Sequence, residues 1–129
     1  MYKFAKKLWP INRSLTGAGV EKTLSLIKKE LPIKILNFKS GSKVFDWRIP
    51  KVWEIKNAWL ADEKNKKIID FKKNNLHVVG YSKNINKKLT FKDLKNKIHY
   101  LKNQPTAIPY VTSYYKKDWG FCLEYNKFK

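Results

Sequence analysis

At 129 residues, 43% hydrophobic and 15% aromatic, the chain has the material for one packed domain with a small subdomain, and the composition excludes intrinsic disorder. No run approaches the roughly 20 apolar residues of a membrane span. The net charge of +19 would suit a polyanion, but all but Arg13 and Arg48 of the 29 basic residues are Lys, spread along the whole length.

The elements follow in chain order. Tyr2–Trp9 is predicted as a short amphipathic helix closed by Pro10. A loop rich in caps and glycines leads to a second helix from about Gly17 to Leu31. Val20, Leu24, Ile27 and Leu31 share one face of that helix. Ser14 or Thr16 is the expected N-cap, and Pro32 ends the helix. The pattern then changes. Ile33–Phe38 reads as a strand and Ser40-Gly41-Ser42 as a turn. Val44–Pro50 reads as an alternating strand with an exposed end. Trp53–Leu60 also alternates, and the charged loop 62–66 leads into Lys67–Phe71, a hairpin pattern. Leu76–Ser82 is nearly continuous in apolar character and should be the most buried strand. Thr90-Phe91-Lys92-Asp93 resembles a capping box opening a helix through Leu101, with Leu94, Ile98 and Leu101 on one face. The fold class is α+β: N-terminal helices, then a mainly antiparallel β region with one intervening helix.

The densest chemistry lies near the C-terminus. Ile108 to Cys122 carries five aromatics and the only cysteine. Such a run is core, or else a cleft wall whose Tyr hydroxyls and indole N–H supply fixed polar groups. Metal binding has little support, because the two histidines, His77 and His99, show no ligand spacing. His77 in an apolar run reads as a satisfied core histidine, and His99 as a solvated residue on the polar side of its helix. Cys122 between Phe121 and Leu123 reads as a small buried hydrophobe rather than an activated thiolate. Gly17-Ala18-Gly19 at a helix start fails both phosphate-loop patterns, so a structural turn is the expectation. Arg13 stands near that helix start, where free N–H groups could hold an anion. One cysteine and no apolar leader at Met1–Pro10 lead us to expect a cytoplasmic location.

Four segments together resemble one family. They are Leu8-Trp9-Pro10-Ile11-Asn12-Arg13-Ser14-Leu15-Thr16-Gly17, Ser40-Gly41 with Val44-Phe45-Asp46-Trp47 and Ile49-Pro50, Asn75 to Ser82, and Pro109 to Tyr115 continuing through Trp119-Gly120-Phe121-Cys122. The chain is similar to the N-terminal part of bacterial aminopeptidase-like proteins related to the zinc-dependent M28 peptidases. In that family a small β-rich domain, DUF2172, is inserted near the N-terminus, and members are often labelled polysaccharide-biosynthesis proteins. The resemblance implies three parts: residues 1–34 as helical segment of an aminopeptidase-like domain, 35–108 as the inserted domain, and 109–129 as the return toward a catalytic domain. Family members continue for some hundreds of residues beyond the Trp-Gly-Phe-Cys segment, and the His, Asp and Glu zinc ligands lie there. The resemblance therefore implies no catalytic residue and no metal ligand in these 129 residues, with zinc expected only in the catalytic region.

The implied role is a non-catalytic frame for a peptide-like substrate cleft, with Asn12, Arg13, His77, Tyr81, Tyr114 and Trp119 as candidate contacts. The expected partner is the catalytic region or a homologous chain. Nucleic acid is not an expected partner, since Arg, which reads guanine and stacks on bases, is nearly missing. Two alternatives stay open. One is a stand-alone basic binding module for anionic partners such as nucleic acid; the other is an interaction domain docking on a separate catalytic chain. Part of the aromatic run is expected to be exposed.

Overall fold

A computed structural model describes residues 1–129, and the chain divides into two compact units, Met1–Ile55 and Lys56–Lys129. The architecture is α+β, with helices leading and short strands following.

The first unit holds helices α1 (Tyr2–Leu8) and α2 (Ala18–Glu30) and a minimal hairpin of β1 (Lys43–Val44) and β2 (Trp47–Arg48). The Arg13 guanidinium donates to the Leu8 carbonyl at 2.7 Å, placing a cation on the C-terminal end of α1 where the backbone dipole favours it. The cap of α2 differs from expectation. Gly17, at φ 93°, takes the N-cap position without a side-chain bond, and neither Ser14 nor Thr16 caps. Thr16 Oγ1 instead accepts from the Trp53 amide at 3.3 Å, while Glu54 Oε1 accepts from the Ala18 amide at 3.0 Å. An acidic side chain from a distant loop thus serves the helix N-terminus. Gly19 faces the Asn12 carbonyl so closely that any β-carbon would overlap it. The predicted strand Ile33–Phe38 does not form: the segment is irregular and none of the backbone groups of residues 34–38 is hydrogen-bonded. Strand Val44–Pro50 is broken by the Phe45-Asp46 turn. Phe45 has a φ of 51°, a left-handed conformation that costs a non-glycine residue about 1–2 kcal/mol. Thr23 is the one buried residue of this unit.

The second unit contains the apolar core. Strands β3 (Trp59–Ala61) and β4 (Lys67–Asp70) pair antiparallel, with Leu60 opposite Ile69 and a bulge before Ala61. Asp62 Oδ1 closes the predicted charged loop by accepting from the Lys64 and Lys66 amides, both at 2.9 Å. Only the end of the predicted strand Trp53–Leu60 is paired. The predicted strand Leu76–Ser82 opens as a single 3-10 turn, Asn75–His77, because Asn74 Oδ1 captures the Leu76 amide at 3.0 Å. Its remainder is extended and deeply placed: Val78 bridges Phe121, and Gly80 bridges Thr112.

Helix α3 (Phe91–Lys95) starts as predicted, with Thr90 Oγ1 accepting from the Asp93 amide and its hydroxyl donating to Asp93 Oδ2. It stops well short of Leu101. Ile98 and His99 form β5 instead, running parallel to β6 (Phe121–Cys122), because that pairing buries Ile98 against Phe121. His99 is accordingly a half-buried strand residue and not a solvated helical one. A last turn, α4 (Tyr125–Phe128), stacks Phe128 on Tyr100 with ring centroids 4.4 Å apart. Ile69, Ile98, Phe121 and Leu123 form the core, packed by Leu60, Val78, Leu94 and Trp119.

Candidate functional site

In the second unit, residues 80–83 are held against the aromatic run. The Gly80 amide donates to the Val111 carbonyl at 2.9 Å, and the Gly80 carbonyl accepts from the Ser113 amide and hydroxyl at 2.8 and 3.1 Å. This clamp brings Tyr81 edge-on to Tyr114, with centroids 5.0 Å apart, and Tyr114 in turn packs on Tyr115 at 4.3 Å. Tyr81 sits at φ 63°, a left-handed position unusual for a bulky side chain. Burial, then the neighbouring Tyr115 and Tyr81, push the Tyr114 phenol above its ordinary pKa, so it stays a neutral donor. Tyr115 is 78% exposed and Tyr110 also faces solvent, as expected of part of the run.

Ser82 ties this cluster to the next one. Its hydroxyl donates to the Val79 carbonyl at 2.6 Å and accepts from the Gly120 amide at 3.3 Å. Beside it Lys97 Nζ pairs with Asp118 Oδ1 at 2.5 Å and lies 5.8 Å from the Trp119 ring centroid. The same Asp118 oxygen accepts from the Trp119 amide at 2.8 Å. These hydrogen bonds, Lys97 first, hold the Asp118 carboxyl below the usual carboxylate range.

Beneath lies a buried layer. The His77 Nδ1–H donates to the Cys122 carbonyl at 2.8 Å, since a carbonyl can only accept. Cys122 is fully buried, and burial pushes its thiol up to about 12, far from a thiolate at neutral pH. Gly120 permits the close approach here: a β-carbon would stand 2.9 Å from the Lys97 carbonyl and 3.0 Å from Val79 Cγ2. Burial raises the Glu124 carboxyl, but its hydrogen bond to Lys127, its own amide and the charges of Lys127 and His77 outweigh that and leave it lowered. No group of three or more His, Cys, Asp or Glu side chains is placed to hold a metal ion, so these residues do not fit a zinc site. What the arrangement offers is contact chemistry: aromatic faces, a neutral phenol and a fixed ion pair.

Of the sequence candidates, Asn12 and Arg13 belong to the first unit, where Asn12 is half-buried and Arg13 is committed to Leu8. The other four lie in the second. Tyr81 and Tyr114 touch, Trp119 sits over the Lys97–Asp118 pair, and His77 is buried in the layer below. Sequence reasoning missed Lys97, Asp118 and the two serines. Asp118 beside Trp119 was a visible signal, but nothing marks Lys97 among so many lysines.

A family profile described as a domain of unknown function, DUF2172, matches residues 52–129. The chain belongs to the DUF2172 family. The match takes in the whole second unit, aromatic run included. Over 128 residues the chain is 49% identical to a Clostridium acetobutylicum protein provisionally described as a polysaccharide biosynthesis protein with an aminopeptidase-like domain. That alignment covers 99% of this chain and 30% of the relative. A crystal structure from Clostridium acetobutylicum, provisionally described as a peptidase, superposes with a TM-score of 0.93 at 50% identity. It matches 98% of this chain and 30% of its own. The chain thus spans about 30% of the length of the relatives it matches.

Proposed function

We propose that this chain acts as the non-catalytic N-terminal portion of an M28-type, zinc-dependent aminopeptidase-like protein that handles peptide-like substrates in surface polysaccharide biosynthesis. The observation that carries the reading is the pairing of 49% identity across nearly the whole chain with coverage of only 30% of the relative. In this reading residues 1–34 belong to the aminopeptidase-like domain, 35–108 to the insertion and 109–129 to the return, and the protein works in the cytoplasm. Tyr81, Tyr114 and Trp119 of the second unit would contact the substrate, while His77 holds the strand beneath them in place. Zinc, bound by the catalytic region, would supply the activated water.

The test is metal analysis of the purified chain together with hydrolysis of aminoacyl p-nitroanilides. We expect neither stoichiometric zinc nor turnover from these residues alone. Both found together in the 129-residue chain would overturn the reading.

A further inference from the structure

The first unit is unfinished in a specific place. Thr23 is its one buried residue, whereas Leu36, Phe38, Phe45 and Val52 are all exposed in the whole chain, Phe45 by 90%. Residues 33–38 carry a strand-type pattern, with Ile33 and Ile35 half-buried, yet the amides and carbonyls of 34–38 pair with nothing. Immediately beyond, the β1–β2 turn presents Phe45 in a left-handed conformation that any glycine would adopt more readily. An exposed aromatic held in a strained turn next to an unpaired strand-like segment breaks two local rules at once, a pattern found where a surface is kept for recognition.

We propose that residues 33–38 and the Phe45 hairpin form a docking surface for the remainder of the longer aminopeptidase-like polypeptide. The segment would add as a strand to a sheet of that region, with Phe38 and Phe45 inserted against it. The occupant follows from the comparison with the solved relative. This region keeps its fold at a TM-score of 0.93 inside a chain of which it is only 30%, so a much larger body is available to cover these residues. The inference rests on the proposed function and adds to it the surface through which the two parts meet.

The experiment compares two contexts: this chain alone, and a chimera in which it replaces the matching 30% of the Clostridium acetobutylicum relative. Phe38→Asp and Phe45→Asp are placed in each. Alone, the variants should leave Tm within about 2 °C, as exposed positions do. In the chimera each should lower Tm by more than about 5 °C. Amides 34–38 should also exchange at least about 100-fold more slowly in the chimera than in the chain alone. Equal exchange and equal Tm shifts in both contexts would overturn the docking surface while leaving the proposed function standing. A large Tm loss in the chain alone would mean the face is covered within these residues, which also overturns it. Protection that grows with concentration of the chain alone would assign the face to a second copy and contradict the proposal. A parent chimera that does not fold would remove the functional reading and the inference with it.

Discussion

At the scale of single residues, the buried layer under the Tyr81 and Trp119 clusters makes the sharpest claims. Replacing His77 with Leu, close to it in volume, leaves the Cys122 carbonyl buried without its donor. Urea denaturation should show a loss of about 1–3 kcal/mol, the cost of an unsatisfied buried polar group. Gly120→Ala should cost about 1–3 kcal/mol by overpacking, because the new methyl meets the Lys97 backbone and Val79. The Lys97–Asp118 pair sets an acid limb. The Asp118 carboxyl is depressed in the folded chain, so its contribution is present above the ordinary Asp value near 4 and is lost as pH falls through the lower folded value. Asp118→Asn should therefore flatten the fall in stability below about pH 4, read by thermal melts across pH, and a steep limb unchanged by the substitution would contradict the assignment. The core roles of His77 and Cys122 were legible in the sequence, since both stand in apolar runs. The Lys97–Asp118 partnership was not, because it joins residues 21 apart in a chain where Lys is everywhere.

At the scale of elements, local chemistry won where the signal was local. The Thr90 capping box, the Asp62 loop and both N-terminal helices lie where the residues placed them, because caps, turns and helical periodicity act over a few positions. Thr90→Ala should fray α3 and cost about 1 kcal/mol, measured by urea denaturation. Elements set by distant pairing depart from the local pattern. Helix α3 gives way to β5 because Phe121 offers Ile98 a buried partner, and Asn74 and Tyr81 bend the ends of the apolar run at 76–82. The cap of α2 was illegible for the same reason: its acceptor, Glu54, comes from 36 residues away. The segment 33–38 is the opposite case, a strand pattern with no partner strand among these residues.

At the scale of the whole molecule, the two units differ in kind. Lys56–Lys129 has the apolar core, a clamp around Gly80 and a match to the DUF2172 profile; Met1–Ile55 has helices and a hairpin without a buried apolar residue. A packed core is what resists local opening, so the units should differ in stability within one chain. The +19 charge belongs to this scale as well, since it is distributed and nearly all Lys; it favours solubility more than it specifies a ligand. Native-state hydrogen exchange on the 129-residue chain tests the account most directly. We expect the amides of Phe121 and Leu123, bonded to the Lys97 and His99 carbonyls, to exchange only through global unfolding, and those of α2 through a much cheaper local opening. Equal protection in α2 and in β5–β6 would contradict the claim that the first unit is completed by a larger protein.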